Sequence, residues 1–265
     1  MNATITGERE PILKQSPMNT AFLQDDPDSS SRHEMSLLRS GFEDLAWQIH
    51  AFKRKLMLAG KISLPRDALV AGEVEVVLAA MQQLGIPIPP LQDYPSSLSS
   101  LLHRKVWRCE YADLRRHFKS PHPAPIFAKP SVRRKLFRGR VFSNASQLDR
   151  SVPDSTPILL SLVAPFISEF RFYVIRSRVI CCENYDGDPR DMVDESIARD
   201  AIAMLDAAGQ SLWAYAIDFG LLRTGDTALV EMNDGFSVGT YREISAKDYT
   251  NFTITRWSEL LATRI

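Results

Sequence analysis

The chain has 265 residues, 32 Lys plus Arg against 32 Asp plus Glu, and 45% hydrophobic residues. That apolar fraction excludes a disordered chain and can support one or two packed domains. The longest apolar run, Ile158 to Ile167 broken by Ser161 and Pro165, is too short to cross a bilayer. No secretory signal pattern opens the chain, and three cysteines make no disulfide framework. A reduced, cytoplasmic protein with no membrane partner is expected.

Residues 1–34 are polar, carry a net charge of −3 and show no sustained period, which predicts a disordered tail. Leu38, Phe42, Leu45, Ile49, Phe52 and Leu56 then recur at spacings of three and four. They predict an amphipathic helix over 35–60, ending near Gly60. A second helix is predicted over 68–84, with Gly85 as its stop. The proline-rich GIPIPPLQDYP is an extended connector. A short strand at Val106–Trp107, a polar helix from Ala112 to Phe118 and the breaker KSPHPAP follow. These boundaries predict an N-terminal α/β domain over 35–125.

From Ile126 strands dominate. PIFAKP is a short strand, SVRRKLFRGRVF a basic loop or hairpin, and ILLSLVAPF a buried strand with a break at Pro165. EFRFYVIRSRVICCENY is one long strand or two with a bend, followed by a helix over 190–209. WAYAIDFGLL and TALVEMND give two more strands, and 248–263 a last helix. Strands and helices mixed without regular βαβ alternation predict an α+β fold, with residues 126–265 as a second domain.

The zero net charge conceals a pattern. Residues 101–140 carry +10 and residues 141–265 carry −7, which points to a localised anionic ligand. Aromatics do not interleave with the basic segment as a nucleic-acid surface would need, and the acidic half would repel a phosphate backbone. No HExxH, CxxC, GxSxG, P-loop or GxGxxG pattern occurs, so a phosphate ligand would be gripped by side-chain cations.

The most informative stretch is WAYAIDFGLLRTGDTALVEMNDG, two strands joined at Thr224-Gly225. A two- or four-residue loop there pairs Arg223 with Asp226, Leu221 with Ala228, and Asp218 with Glu231. Cross-strand Cβ atoms lie about 4.5–5.5 Å apart. Asn233, two residues beyond Glu231, projects to the same face. Two carboxylates set opposite each other repel unless something offsets them. A divalent cation does so, and an all-oxygen set selects Mg²⁺ or Mn²⁺.

FAKP, RRKLFRG, SEFRFYV, YAIDFG and VEMND together resemble the ATP-grasp superfamily, in particular its clade of small proteins marked by one arginine and two lysines. The upstream VAGEVEVVLAAMQQLG and DYP are similar to that clade as well. The resemblance implies an ATP-grasp fold of two α+β subdomains, about 126–162 and 163–265, behind a pre-ATP-grasp domain. It implies ATP and Mg²⁺ as cofactors, with Asp218, Glu231 and Asn233 on the metal. Lys129 would touch the nucleotide phosphates, Lys135 would reach phosphates or the acyl phosphate, and Arg171 would lie near the γ-phosphate or the transferred phosphoryl group. Leu162 and Val163 would give main-chain contacts to adenine, and Glu169 would lie near the ribose.

The implied activity is carboxylate–amine ligation on a small-molecule or peptide carboxylate. A non-catalytic ATP-binding regulatory module is the alternative, and a nucleic-acid-binding protein is disfavoured. Departures from the family pattern are a hinge, LSLVAPF, without an acidic residue, and Ala216 where many relatives carry arginine. Ser237 and Tyr241, in DGFSVGTY after the metal ligands, mark a candidate acceptor loop.

Overall fold

The computed structural model describes residues 19–132, 136–241 and 243–264. The first sheet is parallel. Its central strand β1 (Thr20–Gln24) is followed by α1 (Arg32–Asp44), β2 (Gln48–Phe52), α2 (Arg54–Leu58), β3 (Leu69–Ala71) and α3 (Val74–Leu84). The strand order is β2-β1-β3. Residues 19–34 are therefore not a tail. β1 holds only three clearly apolar residues, Ala21, Phe22 and Leu23, between polar flanks, too few to show a period.

The single helix expected over 35–60 is also corrected. α1 ends at Asp44, Ala46 takes φ 54°, and Gln48–Phe52 pairs in parallel with Thr20–Gln24. The spacing of three and four ran on by coincidence across a turn into a strand, so Leu45, expected on the buried face, is exposed. Likewise the start of the predicted 68–84 helix is β3, and the helix begins at Val74. It stops where expected, with Gly85 at φ 69°.

The second sheet is antiparallel. It contains β4 (Val106–Glu110), β5 (Ile126–Pro130), β6 (Arg140–Phe142) and β7 (Pro157–Leu162), with α4 (Tyr111–His117) packed against it. The order is β4-β7-β5-β6, and the end of the basic segment, Arg140–Phe142, pairs antiparallel with β5 and does not form a hairpin within the segment itself. β4 and α4 share this unit, and a domain boundary at 125 cuts through it.

The third sheet consists of β8 (Phe166–Ile175), β9 (Arg178–Asp186), β10 (Ala214–Leu222) and β11 (Thr227–Asp234), ordered β11-β10-β8-β9. β8 and β9 are two strands, turned at Arg176 and Ser177, both at positive φ. The adjacent Cys181 and Cys182 point to opposite faces, into different cores. α5 (Glu195–Ala207) covers one face against Phe172, Ile217 and Phe219. Strand alternation puts Arg171, Asp218 and Glu231 on the other face.

α6 (Ala246–Ala262) packs on α1 and joins this face to the first sheet in one core. The Trp257 indole N–H donates to the Ala68 carbonyl at 2.8 Å. Close approach of α1 and α6 depends on Gly41. A Cβ there would collide with Thr250 Oγ1 and lie 2.8 Å from the Ala246 carbonyl oxygen. Alanine gains about 1 kcal/mol of helix propensity over glycine. Overpacking a fixed backbone costs about 1–3 kcal/mol. Because the collision involves backbone as well as a side chain, the cost lies in the upper part of that range, and Gly41→Ala should lower stability in urea unfolding by about 1–2 kcal/mol; unchanged or raised stability would contradict this packing.

Candidate functional site

The β10–β11 hairpin places the acids, and its register has two parts. Leu222 N–H donates to the Asp226 carbonyl and Gly225 N–H to the Leu222 carbonyl, each at 2.8 Å. This closes a three-residue loop with Gly225 at φ 91°. Next to the turn Leu221 faces Thr227, not Ala228. An irregularity between Asp218 and Phe219 then leaves Val230 as an extra residue on β11. Beyond it Asp218 faces Glu231, as expected. The two one-residue differences cancel at the functional pair.

Arg104 fixes that bulge. Its guanidinium donates to the Leu229 and Val230 carbonyls at 2.6 and 2.9 Å. It also lies over the Tyr94 and Phe166 rings, 5.9 and 5.4 Å from their centroids.

Asn233 stands beside both acids, and its amide nitrogen donates to Asp218 Oδ2 at 3.3 Å and Glu231 Oε1 at 3.2 Å. The NH₂ end of Asn233, not the expected amide oxygen, thus meets the two acids. Protein cations offset the carboxylates. Lys129 Nζ, from β5, lies 2.6 Å from Glu231 Oε2 and 2.8 Å from Asp93 Oδ2. It also sits 4.8 Å from the centroid of the Tyr94 ring. Burial works against its charge, but Glu231, Tyr94 and Asp93 hold its pKa well above the usual lysine range. Burial likewise opposes ionisation of Glu231, and Lys129 reverses that, leaving Glu231 below the usual carboxylate range.

Arg171 pairs with Asp218 through two hydrogen bonds, Nε to Oδ1 at 2.9 Å and Nη2 to Oδ2 at 2.7 Å. Asp218 is only 1% exposed, and burial outweighs this pairing to push its carboxyl up to about 6. Arg171 Nη1 donates to the Gly239 carbonyl at 2.9 Å. Its guanidinium packs against stacked Tyr185 and Tyr241, 5.6 and 5.5 Å from their centroids. The Tyr185 hydroxyl donates to Glu169 Oε2 at 2.5 Å, and burial raises the Glu169 pKa.

The 239–244 loop is held by buried Glu183. This carboxylate accepts from the Tyr241, Glu243 and Ile244 N–H groups at 2.7–3.2 Å.

The structure thus brings together Lys129, Glu169, Arg171, Asp218, Glu231 and Asn233. Leu162 and Val163 lie where the second sheet leads into the third, 52% and 44% exposed. Lys135 falls outside the described residues. Ser237 donates to the Gly72 carbonyl at 3.0 Å, while Tyr241 faces Arg171. Asp93, Tyr94, Arg104, Tyr185 and Glu183 escaped the sequence reading. DYP was the only signal for the first two, and nothing local marks the others.

Among the described residues no group of three or more His, Cys, Asp or Glu could hold a metal. The set here is two carboxylates and an amide, an oxygen set that fits Mg²⁺ or Mn²⁺ with the remaining positions left to phosphate and water. Lys129 occupies Glu231 Oε2 and the Asn233 amide nitrogen faces Oε1.

Residues 101–252 match the model of an ATP-grasp domain, family 2 of the clade named for one arginine and two lysines. The chain belongs to this family. Solved ATP-grasp relatives share the fold at low identity. D-cycloserine synthetase DcsG is 12% identical, with a TM-score of 0.62, over 91% of this chain and 99% of that one. D-alanine–D-alanine ligase from Bacillus anthracis, complexed with ATP, is 11% identical, with a TM-score of 0.55, over 92% and 98%. N5-carboxyaminoimidazole synthetase from Staphylococcus aureus is 8% identical, with a TM-score of 0.54, over 92% and 77%. No curated protein sequence matches the chain. The mixed α+β architecture of this ATP-grasp protein agrees with the expected fold class.

Removing the Lys129 charge tests the balance of the site. Lys129→Met leaves Asp93 and Glu231 without the cation between them. The loss should be about 2–3 kcal/mol, below the value for a fully buried pair because both acids are partly exposed. The expected result is a lower melting temperature that millimolar Mg²⁺ raises more than it raises the wild type. An unchanged melting temperature, or one insensitive to Mg²⁺, would contradict it.

Proposed function

We propose that this ATP-grasp protein is an ATP- and Mg²⁺-dependent ligase joining a carboxylate to an amine through an acyl phosphate. The supporting observation is the meeting of Asp218, Glu231 and Asn233 with Lys129 and Arg171 on one face, contributed by two sheets. Asp218, Glu231 and Asn233 would hold Mg²⁺, which when bound neutralises phosphate charge and orients the γ-phosphoryl group. Lys129 would pass from Glu231 to the nucleotide phosphates, and Lys135 would serve the phosphates or the acyl phosphate. Arg171 would stabilise charge on the transferred phosphoryl group. Main-chain groups at Leu162 and Val163 would meet adenine, and Glu169 would accept from the ribose hydroxyls.

In that reaction a substrate carboxylate oxygen takes the γ-phosphoryl group and ADP leaves. The amine lone pair then attacks the acyl carbon, the C–O bond to phosphate breaks, inorganic phosphate departs and the nitrogen loses a proton. Activation is needed because a bare carboxylate has no competent leaving group.

The test is nucleotide turnover with ATP, Mg²⁺ and a pool of amino acids and small acids. ADP and phosphate are expected, released at least 100-fold more slowly by Glu231→Ala, in the range for losing one charge-stabilising group. AMP and pyrophosphate would contradict the acyl-phosphate route. Tight ATP binding without turnover would favour a regulatory module. No nucleotide binding at millimolar Mg²⁺ would reject both.

A further inference from the structure

Each of the three sheets has two edge strands, and one of these edges is built unlike the others. β4, β9 and β11 carry charged residues, and β3 and β6 are only three residues long. Charge and shortness are common devices that keep an edge from pairing with another chain. β2 has neither. Its five residues include no Asp, Glu, Lys, Arg or Pro, and its register with β1 runs without a bulge. Among the described residues β1 is the only strand paired with it.

The backbone at this edge can be placed. The Gln48 N–H donates to the Asn19 carbonyl, and the Phe52 carbonyl accepts from the Asp25 N–H, each at 2.8 Å. Backbone groups alternate sides along a strand, so the even-numbered residues of β2 bond to β1. Ile49 and Ala51 therefore turn their N–H and C=O groups to the free edge. In an antiparallel register about a two-fold axis at His50, Ile49 of each copy would face Ala51 of the other. Both N–H groups and both carbonyls of each such pair would then be bonded.

The flanks of β2 are complementary across that axis. Glu43, Asp44 and Leu45 precede the strand, and Lys55, Leu56 and Leu58 follow it. Glu43, Asp44 and Lys55 are exposed, and among the described residues none of them has an ion-pair partner. The other cations nearby are taken, Lys53 by Asp25 and Arg54 by Glu73 and Glu75. Leu45, Leu56 and Leu58 are 53%, 38% and 42% exposed. Antiparallel pairing brings the 43–45 end of each copy beside the 55–58 end of the other. It sets the two acids toward Lys55 and leucine toward leucine, once on each side of the axis. Parallel pairing would set acid against acid.

We propose that β2 is the centre of a two-fold interface between two copies of this chain. The two three-stranded parallel sheets become one continuous sheet, and an isologous contact of this kind closes at two copies. No residue of the interface belongs to the carboxylate hairpin, so the proposal stands apart from the ligase reading.

The test is sedimentation equilibrium of the full chain from nanomolar to high micromolar concentration. The expected result is twice the chain mass at micromolar concentration. Ala51→Pro removes an outward N–H and leaves the bonds to β1 in place, a position where an edge strand tolerates proline. It should raise the dimer dissociation constant tenfold or more. Lys55→Glu, which turns an acid toward Glu43 and Asp44, should also raise it. Adding Glu43→Lys and Asp44→Lys to Lys55→Glu should restore the dimer, an outcome that a loss of folding cannot produce. Circular dichroism reports folding of each variant; should Ala51→Pro fail to fold, the charge-reversal series decides. A wild-type chain that stays monomeric at high micromolar concentration would overturn the proposal and leave the edge to a different protein. A dimer unchanged in a folded Ala51→Pro, or a triple variant no tighter than Lys55→Glu, would also overturn it.

Discussion

Asp218 and Glu231 sit opposite each other on neighbouring strands, and neither is freely solvated. Like charges so placed disfavour the sheet pairing that creates them. The protein meets this with two cations from different places, Arg171 on the adjacent strand β8 and Lys129 on β5 of another sheet. The second contact does more than neutralise. It spans the second and third sheets, and Asp93 reinforces the crossing by accepting from the Met232 N–H on β11 at 2.9 Å while its side chain holds Lys129. The closure of the site and its charge balance are therefore one property.

On the proposed function Lys129 has two positions and Arg171 one. Lys129 occupies the place where positive charge is needed, and a metal ion at Glu231 would take its role there. The freed ammonium would remain anchored by Asp93 and Tyr94, beside the phosphates that the metal binds. Arg171 stays fixed by Asp218, Gly239 and the stacked tyrosines. The loop carrying Gly239 is set by Glu183, so a buried carboxylate on β9 controls what the arginine can reach.

The sequence was most legible where spacing and chemistry coincided. Asp218, Glu231 and Asn233 were found because the strand period of two and a turn signal constrain the face each residue occupies. Their pairing survived although the loop holds three residues where two or four were expected, since the bulge at Val230 returned the difference. Lys129 and Arg171 were legible as cations, but their attachment to the acids was not, because it joins residues 102 and 47 positions apart. Repulsion between the acids had suggested a metal; the structure shows that protein cations also answer it, so the metal rests on the donor set and not on charge alone. β1 and β2 were lost for another reason. A parallel strand of five residues carries almost no local signal, and its partner lies beyond an intervening helix.

On the proposed function, Lys129 yields Glu231 to a metal ion when nucleotide binds. A crystal structure with Mn²⁺ and a non-hydrolysable ATP analogue, with the metal located by anomalous scattering, tests this directly. The predicted result is Mn²⁺ between Asp218, Glu231 and the Asn233 amide oxygen, with Lys129 on the phosphates and still in contact with Asp93. Mn²⁺ bound elsewhere, or Lys129 still paired with Glu231 in the nucleotide complex, would contradict it.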